Sequence, residues 1–339
     1  MNKVMLSILV TAAVLFAAVT GTATPASAGA EITLTYANFP PASTFPCVQM
    51  ERYAKEVETR TAGKVKILTF PGGTLLPAKN IFDGVQSGAA DIGNFAMSYQ
   101  PGRFPVSEAV DLPLGFRSAH TASLALYDLI MAYNPKEFAN VKILTLFTCP
   151  PADFMTSRPV AALADLKGME LRVSGTGAEV IGRLGGIPVA MPQSETPEAI
   201  QKGIVKGMVS SREILKDFNF AAYCPYSTDA DLFVVSFAVV MNRAKWDALP
   251  GDVKEVLDKL GREQAEWTGT YVDNHVEEAL AWAKKGSGHK TFDLSAADRS
   301  EIEKAVRPLI DGYVKRVTEQ GLPGAEIVGR VLELKKKYE

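Results

Sequence analysis

Between Gly251 and Lys285 no proline occurs, and Val253, Val256, Leu257, Leu260, Gln264, Thr268, Tyr271, Val272, Val276, Ala279, Leu280 and Ala283 fall on a single helical stripe. Recurrence at three- and four-residue spacing predicts one amphipathic helix over this whole segment. At 1.5 Å per residue such a helix runs roughly 50 Å. That is longer than one small domain, so the chain has to offer two bodies for the helix to cross. The length of 339 residues agrees, since single hydrophobic cores stop growing near roughly 250–300 residues.

Ahead of that helix, strands and helices alternate. Ile32 to Ala37 reads as a strand, and Asn38 to Ala42 as a loop. Met50, Tyr53, Ala54 and Val57 mark a helix that Gly63 stops. Val65 to Phe70 is a strand, Ala78 to Gln86 a helix ended by Gly88, and Asp91 to Phe95 the next strand. Ala119 to Tyr133 and Val141 to Thr148 add a helix and a strand. The rhythm restarts with a helix from Gly177, the strand Pro188-Val189-Ala190, a helix capped by Thr196 with Pro197 in its first turn, and the strand Gly207 to Ser210. Repeated strand–helix–strand units predict parallel sheets covered by helices. Ile302, Ala305, Val306, Leu309, Ile310, Tyr313 and Val317 mark a further helix, and Pro323 opens the last one, which ends in Lys335-Lys336-Lys337 as a solvated terminus.

The N-terminus reads as an export signal. Lys3 precedes an uncharged apolar run from Val4 to Ala18, and Pro25-Ala26-Ser27-Ala28 supplies a cleavage site. The competing role, a membrane anchor, is disfavoured because the run is short for a roughly 20-residue span. The protein is therefore expected in the periplasm of a Gram-negative cell. A net charge of −2 argues against nucleic acid or an anionic membrane as partner. Cys47, Cys149 and Cys224 are odd in number, so one thiol at least is unpaired. Their spacing matches no zinc pattern, and either one disulfide or three buried thiols fits.

Catalytic chemistry is thinly represented. His120, His275 and His289 have no metal-ligand or nucleophile–base spacing and are expected as ordinary surface or capping residues. No Gly-x-Ser-x-Gly elbow occurs. Gly175-Thr176-Gly177-Ala178-Glu179-Val180 follows a strand and opens a helix but lacks the last glycine of a dinucleotide fingerprint. No enzyme activity, cofactor or metal is expected. Arg172 is different. It ends a short apolar strand in Asp165-Leu166-Lys167-Gly168-Met169-Glu170-Leu171-Arg172-Val173. A guanidinium there requires an anion: a neighbouring acid or, in an exported chain with so little catalytic chemistry, a captured solute.

Several segments, in order and spacing, resemble one family. They include Gly63-Lys64-Val65-Lys66 with Phe70-Pro71-Gly72-Gly73-Thr74-Leu75, then Gly84-Val85-Gln86-Ser87-Gly88-Ala89-Ala90-Asp91-Ile92-Gly93. Pro101-Gly102-Arg103-Phe104-Pro105, Leu112-Pro113-Leu114, the Leu166 to Val173 segment, and Val239-Val240-Met241-Asn242 with Trp246 and Leu249-Pro250 follow. The chain is similar to solute receptors of the tripartite ATP-independent periplasmic (TRAP) transporters, of the DctP type. The resemblance implies a two-domain α/β periplasmic binding protein fold with hinge strands and a long helix spanning both domains. The expected division is a signal peptide over 1–28, a first domain over 29–154 plus 242–285, and a second over 155–241 plus 286–339. The implied function is to capture an organic acid in an interdomain cleft and hand it to a small DctQ-type and a large DctM-type membrane subunit. Uptake then runs on an ion gradient, and the receptor is expected to be a monomer. A receptor feeding a sensor protein is the other role considered.

By the same resemblance Arg172 matches the family's carboxylate-binding arginine, whose planar fork fits a carboxylate. The usual Val-Asp-Gly turn appears as Val205-Lys206-Gly207, and the polar position after it as Ser210. Ser210, Ser211, Arg212 and Glu213 are the candidates for further polar contacts. The second arginine of sialic-acid receptors falls near Ala152, which argues against sialic acid. Phe39, Phe45, Phe95, Phe154, Phe218 and Tyr223 lie in or beside segments that border the cleft, with core packing as the competing role for each. Together they favour a monocarboxylate with an apolar or aromatic body, a small dicarboxylate being the alternative.

Overall fold

The structure, a computed structural model, describes residues 32–339; the expected export signal lies outside them. In chain order the first lobe begins with β1 (Ile32–Asn38), α1 (Phe45–Arg60), β2 (Val65–Phe70), α2 (Ile81–Ser87), β3 (Ile92–Ala96), α3 (Pro105–Glu108), α4 (Ala119–Tyr133) and β4 (Val141–Thr148). The second lobe holds β5 (Asp153–Thr156), β6 (Glu170–Val173), α5 (Gly177–Arg183), β7 (Ile187–Ala190), α6 (Thr196–Gln201), β8 (Gly207–Ser210), α7 (Ile214–Asp217) and β9 (Tyr226–Asp229). The chain then returns through β10 (Ser236–Asn242), α8 (Arg243–Ala248), α9 (Gly251–Ser287), β11 (Lys290–Asp293), α10 (Ala296–Glu319) and α11 (Gly324–Tyr338).

Two sheets result, in the order β2-β1-β3-β10-β4 and β11-β9-β5-β8-β6-β7. Both are mixed: β10 runs antiparallel to β3 and β4, and β5 antiparallel to β8 and β9. Two linkers cross between the lobes side by side. Cys149 N–H bonds Val235 O at 3.0 Å, Ala152 N–H bonds Phe233 O at 2.7 Å, and Leu232 N–H returns to Ala152 O at 3.0 Å. This paired ribbon is the natural hinge.

The predicted long helix is α9, one piece of 37 residues. Its first half packs Val253, Leu257 and Leu260 into the first core, and its second half packs Val276, Leu280 and Ala283 beneath the second sheet. α10 also spans both lobes, with Ile302, Val306 and Leu309 in the second core and Tyr313 and Val317 in the first.

The expected domain division needs two corrections. β10 completes the first sheet, because its buried Phe237-Ala238-Val239-Val240-Met241 run pairs on both edges. α11 belongs with the first lobe, because Ile327, Val331 and Leu334 are buried in the first core and the helix packs on α4. A third correction is local. Thr196 is the first residue of α6 and not its cap. A 3₁₀ turn over Gln193–Glu195 runs straight into the helix, so Thr196 already has helical φ and its hydroxyl caps nothing.

Candidate ligand-binding site

Ligands of open α/β sheets sit beyond the carboxyl ends of parallel strands. β6 and β7 are parallel, and the turns leaving them meet the first lobe. Arg172, near the end of β6, is 2% exposed. Met191 O, just past β7, accepts from its Nε at 3.0 Å and its Nη2 at 2.8 Å, and Gln193 Oε1 accepts from Nη1 at 2.5 Å. Three of the five N–H groups are thereby engaged by neutral oxygens. Among the described residues no carboxylate pairs with it within ion-pair distance, so the competing role of a structural ion pair is not what the geometry contains. Burial pulls the guanidinium below its ordinary value, and the nearby Tyr99 hydroxyl opposes this. Tyr99, from the first lobe, also accepts from Gln193 N–H at 3.0 Å, which ties the guanidinium's support across the cleft.

Around Arg172 the lobes leave a narrow cavity of about 50 Å³ that opens to solvent. Phe39, Phe45 and Phe237 form one wall. Phe39 and Phe237 stack with centroids 6.3 Å apart, and Phe45 meets Phe237 edge-on at 6.1 Å. Phe218, Ser210, Ser211 and Glu213 line the opposite side. Glu213 is 2% exposed and sits at the start of α7. Its Oε1 accepts from Ser211 Oγ–H at 2.7 Å, while Oε2 is buried without a partner. Burial pushes this carboxyl up to about 7, with the Asp217 carboxylate adding to the rise and the Ser211 hydroxyl opposing it.

Of the nine candidate contacts, seven line this cavity: Arg172, Ser210, Ser211, Glu213, Phe39, Phe45 and Phe218. Two do not. Phe95 points into the first core against Phe82 and Phe104, at 5.0 and 5.4 Å. Phe154 is fully buried in the second core, on the strand that pairs with β8. On a strand alternate side chains face opposite layers, and both of these face the helices. Tyr223 lies on the surface, 40% exposed. Arg212 turns away from the cavity: its Nε lies 2.8 Å from Asp153 Oδ2, and Asp229 is 3.7 Å from its Nη2. Arg103 is held by Asp83 at 2.7 Å. Arg172 is therefore the one arginine lining the cavity among the described residues.

Sequence reasoning missed Gln193, Asp217, Phe237 and Cys149, all of which line the cavity. Gln193 had a usable signal: it follows the strand expected beside that of Arg172. Asp217 had none, because its role depends on long-range packing. Its Oδ1 lies 2.7 Å from His275 Nε2 on α9, its Oδ2 accepts from Phe45 N–H at 3.3 Å, and its carbonyl accepts from Ser43 Oγ–H at 3.4 Å. His275 is thus a buried partner and not a surface residue; Asp217 holds its pKa above the ordinary value. His289 is likewise buried, 2.9 Å from Ser227 Oγ. The three cysteines are buried free thiols, each pushed up to about 12 by burial.

The profile of DctP, bacterial extracellular solute-binding protein family 7, matches residues 37–316, which takes in the cavity and both sheets apart from most of β1. The chain belongs to this family. A TRAP periplasmic solute binding protein from Desulfovibrio salexigens is 52% identical over 91% of this chain and 97% of its own, with a TM-score of 0.83. It was captured open, with the C-terminus of a symmetry mate in its ligand-binding site. A marine metagenome TRAP receptor specific for aromatic acids, in complex with 3-hydroxybenzoate, is 28% identical over 92% of this chain and all of its own, with a TM-score of 0.87. The C4-dicarboxylate-binding protein DctB of Bacillus subtilis is 24% identical over 84% of this chain and 81% of its own. This DctP-family chain is an extracytoplasmic solute receptor of the TRAP type, and among the described residues no helix is long and apolar enough to cross a membrane.

Proposed function

We propose that this receptor captures a monocarboxylate with an aromatic or apolar body, closing its two lobes around it. The observation that carries the reading is Arg172: a buried guanidinium with no acidic partner among the described residues, facing a cavity walled by Phe39, Phe45, Phe218 and Phe237. A planar fork in an apolar setting suits one carboxylate followed by a ring. A second carboxylate would need a second cation, and Arg103 and Arg212 are each committed to acids elsewhere. That weighs against a small dicarboxylate, the ligand of DctB. Two neighbours support the reading. The D. salexigens receptor accepted a chain terminus, which presents a single carboxylate. The metagenome receptor takes 3-hydroxybenzoate.

Arg172, Gln193 and Glu213 belong to the second lobe, and Phe39, Phe45 and Tyr99 to the first, so only a closed cleft lets one small molecule touch both sets. The ligand stabilises closure by its differential affinity for that state. The closed, periplasmic monomer then delivers the acid to DctQ- and DctM-type membrane subunits. The test is a thermal-shift screen of organic acids on purified protein. Benzoate, 3-hydroxybenzoate and mandelate are expected to raise the melting temperature; at 100 times its Kd a ligand adds about 2.7 kcal/mol. Submicromolar succinate or malate binding without any response to aromatic acids would overturn the ligand class.

A further inference from the structure

Glu213 presents a problem that the capture of an anion makes worse. The cavity is lined by one guanidinium, Arg172, and two carboxyls: Asp217, whose Oδ1 is taken by His275, and the buried Glu213. A carboxylate ligand brings a further negative charge into the same closed space. Glu213 has no other cation to turn to. Its Oε1 is held by Ser211, and its Oε2 is buried, unpartnered and in the wall of the cavity. Of the surrounding titratable groups only His275 favours its ionised form, and less than burial opposes it. Asp217 on its own helix is negative and repels it. His275 on α9 is occupied by Asp217, and beyond it Glu278 meets Lys216 at 3.8 Å. Cys149, from the crossing linker, is a neutral thiol.

We infer that the ligand is taken up together with one proton from solvent, carried by Glu213, whose Oε2–H then donates to an oxygen of the bound acid. The bound cavity then holds Arg172 cationic, the ligand anionic and Glu213 uncharged, with Asp217 set against His275. A protonated carboxyl satisfies both open requirements, since it removes the excess charge and gives Oε2 a partner. The free group already stands near neutrality, so little is needed to load it. This rests on the monocarboxylate reading above. It narrows it to an acid without an amino group, since an ammonium would instead pair with an ionised Glu213 and bind with no proton taken up.

The experiment is isothermal titration of the full receptor with 3-hydroxybenzoate, mandelate and phenylglycine at pH 6 to 9, in buffers of different ionisation enthalpy. Mandelate and phenylglycine share a skeleton and differ in hydroxyl against ammonium. Uptake is expected to approach one proton at pH 8 for the first two acids, and affinity to fall toward tenfold per pH unit above pH 7. Phenylglycine is expected to bind at least tenfold more weakly than mandelate. Glu213→Gln is expected to abolish the uptake and flatten the pH profile, whereas His275→Gln leaves both in place. Thermal denaturation confirms that each variant is folded. Enthalpies equal in all buffers, an unchanged profile in Glu213→Gln, or tighter binding of phenylglycine would each overturn the proton-coupled step alone. No heat from any of the three acids would sink the ligand class and this inference together.

Discussion

In the proposed reading capture turns on Arg172, whose charge is buried with only neutral oxygens to hold it. Arg172→Ala is expected to weaken binding of the captured acid by about 2–5 kcal/mol, or roughly 30- to 4000-fold. Arg172→Lys keeps the charge and loses the fork, so it should fall in the same range. Calorimetry with near-normal affinity in either variant would refute the clamp. Glu213 supplies a stability test that needs no ligand. Its folded pKa of about 7 lies above the usual unfolded value near 4.3, so the folded state holds a proton the unfolded state has lost. Its contribution is therefore favourable below about pH 4.3 and is lost as pH rises through 7. At pH 8 Glu213→Gln is expected to be more stable than wild type by on the order of 3 kcal/mol, a difference that vanishes near pH 4 in denaturant melts. At this scale the sequence was partly legible. A charged residue at the end of an apolar strand announces itself, so Arg172 was visible. Phe95 and Phe154 were misassigned because an aromatic residue on a strand gives no sign of which face it takes. Asp217 and His275 are 58 positions apart, and no local pattern joins them.

The elements follow local signals closely wherever periodicity is long. α4 and α9 start and stop where stripe, cap and glycine say, with Ser118 Oγ accepting from Thr121 N–H and Gly288 closing α9 at φ 65°. Assignment of elements to lobes was less legible, because β10 and α11 read as an ordinary strand and an ordinary helix, and only tertiary packing decides which sheet or helix they join. Two contacts between elements make tests. Gly207 on β8 faces β5 so closely that a Cβ would lie 2.3 Å from Met155 O and 2.8 Å from Thr156 Cα. Gly207→Ala is expected to destabilise the second lobe by about 1–3 kcal/mol, read as a lowered denaturant midpoint; an unchanged midpoint would mean the strands part freely. Asp217 links α7, α9 and the start of α1. Asp217→Ala removes its one side-chain hydrogen bond across the cleft, from Phe45 N–H, worth about 1 kcal/mol, so ligand dissociation should quicken roughly fivefold. Stopped-flow release at the wild-type rate would remove Asp217 from the closure.

As a whole the molecule is two α/β lobes joined by a two-stranded ribbon and crossed by two helices. The ribbon at Cys149–Ala152 and Leu232–Val235 offers a hinge, while α9 and α10 are anchored in both lobes and must bend or pivot when the cleft opens. Tyr99 to Gln193 and Phe45 to Asp217 are contacts that opening would break. Closure and the arginine clamp are one proposal, in which the acid that pairs with Arg172 holds the lobes together. Small-angle scattering of wild type and Arg172→Ala, each with and without a saturating aromatic acid, tests it most directly. The account predicts a smaller radius of gyration for liganded wild type and no change for Arg172→Ala. Identical profiles for free and liganded wild type, or equal contraction in Arg172→Ala, would contradict it.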